Sequence, residues 1–282
     1  MSAIGTAEAT HVLNDLRDEV AELRRLVEPR TDRELAEETP FYGWRGQDVL
    51  LHLIFIDWLA TLAVTDPDRC AEAVATMGRA TARPVDDDSG TFGIFARINA
   101  HERQVIGDLA PRALVGRWIE GFEALTDALS GQDGARSLTW FGRPMKLSTL
   151  IGARQMEVWG YGQDVFDLFR ERRREGDRIR NIVEFALRTF RFSFANRGLE
   201  AGVMPNLELT APSGAVWRWE SLSSERISGS AVDFVLVATQ RRNVADNSLR
   251  VEGDTARNWM RIAQCIAGPP LPGPAPGERV WN

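Results

Sequence analysis

Residues 48–64 constrain this chain more than any other stretch, because their apolar side chains wrap the whole circumference of a helix. Val49, Leu53, Phe55, Ile56, Leu59 and Leu62 cover too wide an arc for a surface helix, so the segment has to be buried by others. The greasy run 50–64 is broken by His52, Asp57 and Thr61 and falls short of the roughly 20 residues a bilayer span needs. It is therefore read as the core helix of a bundle.

Other segments agree with that frame. Val12, Leu16, Val20, Leu23 and Val27 recur every three or four positions, which predicts an amphipathic helix ending near Pro29. Helical patterns continue over 92–107, 112–130, 147–171 and 177–196, with a polar loop over 84–90. After Gly198 the texture changes to short extended segments at 207–210, 216–220 and 226–228, separated by Pro-Ser-Gly and Ser-Ser turns. A short helix over 232–239, a strand at 249–251, a helix over 255–266 and an irregular tail from 268 complete the chain. The expected fold is mainly α: a four-helix bundle over 1–197 followed by a small α+β domain over 198–282.

The formal charge of -6 and the lack of a basic stripe with interleaved aromatics exclude nucleic acid and anionic membrane as partners. A small-molecule substrate is left, acted on by a monomer or homodimer. Cys70 and Cys265 form no CxxC pair, which fits buried thiols in a reducing cytoplasm. Lys146 is the only lysine; arginine-dominated usage reflects codon bias rather than binding.

Sites in bundles are built from polar side chains that project inward from facing helices. His52 lies in the most apolar segment of the chain, with Asp48 one turn earlier placed to fix its tautomer. Taken alone, such a histidine is either a satisfied core residue or a ligand. The stretch 153–164, A-R-Q-M-E-V-W-G-Y-G-Q-D, sets Glu157, Tyr161 and Asp164 on one helix face. A carboxylate followed four positions later by a second donor is how one helix offers two ligands to a metal, although here the second donor is a phenol. Glu157 is alternatively a surface residue or a partner of Arg154. Considered together, His52 and Glu157 would be costly to bury separately, and a shared ion would resolve both.

Lys146 precedes this helix, as a proton donor or anion-binding group near the carboxylates or simply as an exposed helix start. His101 sits among polar neighbours and reads as solvated. Trp44, Trp58, Trp140 and Trp159 read as core, while Trp140 and Phe141 fall in a loop from which they could line a pocket.

Trp44 stands with Asp48, Leu51, His52 and Leu53; Trp140, Phe141 and Gly142 stand with Pro144 and Met145; and Ala153, Arg154, Met156 and Glu157 stand with Trp159, Gly162, Gln163 and Asp164. With 207–212, 229–234, 239–242 and 263–270 these stretches resemble the mycothiol-dependent maleylpyruvate isomerase group of the DinB-like superfamily, a likeness that covers nearly the whole chain. It implies a DinB-like bundle that binds a divalent metal, zinc or iron, and a C-terminal domain similar to sterol carrier proteins. The implied ligands are a histidine, matched by His52, a glutamate, matched by Glu157, and a second histidine whose position holds Tyr161. Asp164 is the replacement donor, giving His52, Glu157 and Asp164 as the expected metal set. Mycothiol is the implied thiol cofactor, with Arg241 and Arg242 offered to its carboxylate across the domain junction or forming a plain surface pair.

Three functions are open at this point. In the first, a metal- and mycothiol-dependent isomerase or thiol transferase lowers the thiol's pKa and adds the thiolate to an electrophilic substrate. In the second, His52, Glu157, Tyr161 and Asp164 act without metal as acid and base groups on a hydrophobic small molecule, in an isomerase or cyclase of specialised metabolism. In the third, the fold binds a small molecule without turning it over.

Overall fold

The computed structural model describes residues 3–82 and 90–279, so the loop expected over 84–90 lies almost wholly outside the described residues. The chain divides into two compact units, Met1–Arg172 and Arg173–Asn282.

In the first unit α1 (Ala3–Val27) is followed by a single capped turn, α2 (Asp32–Leu35), and then by α3 (Gly46–Thr65). Helix α4 (Pro67–Thr81) was not expected, although Asp66 caps it by accepting a hydrogen bond from the Arg69 N–H and Pro67 occupies its first turn. That pairing is a recognisable helix start. Helices α5 (Gly90–Ile106) and α6 (Pro111–Leu129) precede a hairpin of β1 (Ser137–Trp140) and β2 (Arg143–Lys146), which leads into α7 (Leu147–Phe169). Helices α1, α3, α6 and α7 form a four-helix bundle, with α4 and α5 laid against α3. Helix α3 is long and apolar enough to cross a membrane by length and composition alone; here most of it is buried among its neighbours. Apart from Thr149 and Glu157, every residue of α7 from Leu147 to Phe166 is buried as well.

Trp140 and Phe141 fall in the β1–β2 hairpin rather than in an irregular loop. They sit at the hairpin tip, where Phe141 (φ 47°) and Gly142 (φ 74°) adopt left-handed backbone, as a two-residue turn with both central φ values positive requires. The tip packs on the Phe55, Ile56 and Leu59 side of α3 together with Val74 and Met77 of α4.

The second unit opens with a 3-10 turn at Asp177–Ile179, α8 (Arg180–Arg188) and α9 (Phe190–Ala195) in place of one helix over 177–196. At the break, the Thr189 hydroxyl donates to the carbonyls of Phe185 and Ala186, a back-bond that competes with the helix ladder. Strands β3 (Asn206–Thr210), β4 (Val216–Trp219), β5 (Arg226–Ser230) and β6 (Arg250–Glu252) form a sheet of order β4-β3-β5-β6. The β3–β5 pair is parallel and the other two are antiparallel. Helices α10 (Ala231–Ala238) and α11 (Asp254–Ile262) complete the unit. Because α8 packs against α10 and α9 against α11, the division falls at Arg172 rather than at the expected 197. The change of texture at Gly198 marks where helix gives way to strand, not where one core ends.

Candidate active site

The site starts from how α3 is launched. Arg45 is its N-cap residue, and the Asp48 side chain reaches back to accept the Arg45 backbone N–H at 2.9 Å. The other Asp48 oxygen accepts from Arg103 at 3.0 Å. Asp48 is thus engaged at the helix start and does not serve His52, contrary to expectation.

The partner of His52 is Glu102 of α5, a fully buried carboxylate whose Oε1 accepts the Nδ1–H at 2.6 Å. The other ring nitrogen, Nε2, lies 3.4 Å from Oε2 of Glu157 on α7. Three helices therefore supply a carboxylate–imidazole–carboxylate line, in which only Glu157 keeps appreciable contact with solvent, its side chain being 16% exposed. In sequence Glu102 is one polar residue among several. Its signal was spacing: it stands seven residues, two turns, from the buried Phe95, on the face of α5 that turns inward. His101, expected to be solvated, is buried beside it with its ring edge-on to Phe55, and burial lowers its pKa.

Burial alone would push the His52 imidazole down, but the charge and hydrogen bond of Glu102, followed by those of Glu157, outweigh it and hold the pKa up at about 9. The Glu102 carboxyl is raised by burial against the pull of His52. The imidazole is accordingly charged at neutral pH, a proton donor aimed at the carboxylate that faces it.

Aromatic rings surround this line. Tyr161 packs on His52 with ring centroids 4.4 Å apart, stacks on Trp44 at 5.6 Å and meets Phe41 edge-on at 5.3 Å. Trp44 reaches across to donate its indole N–H to the Phe95 carbonyl at 3.2 Å, tying the 38–45 loop to α5. That loop turns through Tyr42 (φ 44°) and Gly43 (φ 76°), and Tyr42 stacks on Phe95. Arg154, one turn before Glu157 on α7, is not its partner: its guanidinium binds Asp57 of α3 at 3.0 Å.

The remaining expected residues stand apart. Lys146 is exposed at the start of α7, eleven residues and hence about 16 Å of helix rise from Glu157, outside the cluster. Asp164 is fully buried on α7, but seven residues from Glu157 is about 10 Å along the axis, too far for the two to share an ion through ordinary ligand bonds. Among the described residues no group of three or more His, Cys, Asp or Glu side chains is placed to hold a metal. His52 and Glu157 are two converging donors, and Glu102 orients the imidazole as a carboxylate orients a metal-bound histidine. A catalytic zinc takes three protein ligands, and Tyr161, packed as an aromatic ring, would have to ligate as a phenolate. The residues present therefore do not fit a resident metal. Arg241 and Arg242 belong to the second unit and are both buried, with guanidinium nitrogens donating to the carbonyls of Thr239 and Arg241, so they are not a surface pair. Cys70 and Cys265 are both buried and are not joined in a disulfide.

Residues 16–166 match the family model described as the mycothiol maleylpyruvate isomerase N-terminal domain, more than half of the chain. The chain belongs to that family. Uncharacterized proteins from two strains of Mycobacterium tuberculosis are each 33% identical to it over 258 residues, 91% of this chain and 95% of theirs. Among solved structures, the fold is similar to that of a mycothiol-dependent maleylpyruvate isomerase. The TM-score is 0.52 at 15% identity, over 86% of this chain and 92% of the other. A histidine-to-alanine mutant of such an isomerase gives 0.51 at 16% identity, over 83% and 89%. Family and fold are thus those of a maleylpyruvate isomerase-like protein, and Glu102, His52 and Glu157 all fall within the matched residues 16–166.

Proposed function

We propose that this protein is a small-molecule isomerase or thiol transferase that uses mycothiol as its nucleophile and moves protons with His52 and Glu157. The observation that carries this reading is that Nε2 of a charged imidazole, held from behind by buried Glu102, points at a partly exposed carboxylate. Glu157 takes the thiol proton, and the thiolate adds to an electron-poor C=C conjugated to a carbonyl. His52 stabilises the oxygen on which negative charge develops by donating its Nε2–H. Rotation about the new single bond and expulsion of the thiolate return the alkene with altered geometry, the thiol recovering its proton. No electrons are gained or lost overall. In a transferase the same thiolate displaces a leaving group instead.

Maleylpyruvate, the substrate in the structural neighbours' names, and mycothiol are the first pair to assay. Turnover should require the thiol, and His52→Ala and Glu157→Gln should each lower kcat/KM by about 10²–10⁴-fold. Thiol-independent turnover, or variants as active as wild type, would remove the proposal; tight ligand binding with no turnover would identify a binding protein. No step is assigned to a metal, because the donor set lacks its third member. The buried reduced cysteines accord with a cytoplasmic setting.

A further inference from the structure

A second polar rung joins α3 to α7 beside the His52–Glu157 pair. Nε of Arg154 donates to Oδ1 of Asp57 at 3.0 Å and Nη2 lies 3.0 Å from the same oxygen, with both side chains only 1% exposed. Asp57 is five residues after His52 on α3, and Arg154 is three before Glu157 on α7, so the two helices run antiparallel and the rungs are about 4.5–7.5 Å apart along the axes. The pairing is made through one carboxylate oxygen only: Oδ2 of Asp57 and Nη1 and Nη2 of Arg154, all buried, have no hydrogen-bond partner, although Nη2 stays within ion-pair distance of Oδ1.

A buried ion pair of this kind is a poor source of stability, since apolar residues of similar size commonly serve as well or better. Its best-attested use is to fix register. Helices α3 and α7 are served by such a device, because their buried residues are mostly apolar and apolar contact is non-directional, tolerating axial slip that an ion pair does not. Slip between the helices would change the approach of Glu157 to Nε2 of His52 directly.

We infer that Asp57 and Arg154 are positioning residues that set the register of α7 on α3 and thereby hold Glu157 opposite His52. The activity arm of the test rests on the function proposed above; the geometric arm does not. The double variant Asp57→Leu/Arg154→Met removes both charges and keeps most of the bulk, while Arg154→Lys keeps a charge and loses the planar fork. Ring-nitrogen NMR of His52 reports its two carboxylate contacts directly, and steady-state kinetics report the consequence. Both variants should fold, as judged by far-ultraviolet circular dichroism, yet displace the His52 ring signals from their wild-type positions. With the apolar double, kcat should fall by about 10²-fold at unchanged KM, as expected for an approach disturbed by about 1 Å. Wild-type ring signals in the double variant would overturn the inference, as would a kcat within about twofold of wild type. If the double does not fold, Arg154→Lys alone decides by the same ring signals. If wild type shows no turnover, the functional reading fails and the ring signals still decide the positioning role.

Discussion

Glu102→Gln tests the electrostatics of the site with almost no change of shape. The wild-type imidazole is raised from 6.5 to about 9, with burial working against the shift and Glu102 the first of the groups producing it. At about 1.4 kcal/mol per pH unit, that displacement corresponds to about 3 kcal/mol of net preference for the charged ring. An amide removes the charge 2.6 Å from Nδ1 but leaves the imidazole as buried as before, so the desolvation that Glu102 had overcome gains the upper hand. His52 should then titrate at or below its ordinary value, Glu157 alone being unable to hold it up. The chain has three histidines, His11, His52 and His101, and a His52→Ala control assigns the resonance to be followed by NMR from pH 5 to pH 10. Stability gives a second reading of the same quantity. A raised histidine stabilises the fold fully below its unfolded value near 6.5, and that contribution is lost as the pH climbs through about 9. Wild-type unfolding free energy should therefore decline across that window, and the decline should flatten in Glu102→Gln. A variant whose His52 midpoint stays within about half a pH unit of wild type would refute the account, because less than about 1 kcal/mol would then belong to Glu102.

Tyr161→His places an imidazole four residues beyond Glu157, where the phenol ring now packs on His52. The variant should bind stoichiometric zinc by elemental analysis while wild type does not, and equal metal content in the two would show that the phenol position is irrelevant to ligation. Arg154→Met alone strands the Asp57 carboxylate in a site 1% exposed and should cost about 3–5 kcal/mol in chemical denaturation. A loss below about 1 kcal/mol would mean that the pair is solvated. Gly142→Ala meets no neighbouring atom, so its cost is the left-handed backbone at φ 74° alone, about 1 kcal/mol by the same measurement. An unchanged midpoint would mean that the hairpin turn relaxes.

Much of the site was legible in one dimension. His52 declares itself because a polar ring inside the most apolar helix has to be buried, and burial forces it to find partners. Glu157 follows from the same logic once α7 is seen to be greasy on nearly every side. Glu102 could not be singled out in this way: α5 is only partly buried, and its polar residues, from Arg97 and Asn99 to Arg103 and Gln104, look alike in sequence although they differ in burial. Asp48 misled because proximity along a helix suggests a partner for His52, whereas the backbone donor at the cap, closer in chain and fixed in direction, claims the carboxylate first.

Local pattern sufficed for what depends on periodicity: the bundle helices, the late strands, and the need for polar groups inside α3 to be satisfied somewhere. Which carboxylate meets which ring nitrogen, and the preference of Arg154 for Asp57 over Glu157, depend on how α3, α5 and α7 lie against one another. Those contacts join residues about 50 and 100 positions apart, as between His52 and Glu102 or Glu157, where chain spacing carries no geometric information and only packing of the assembled core selects the partner.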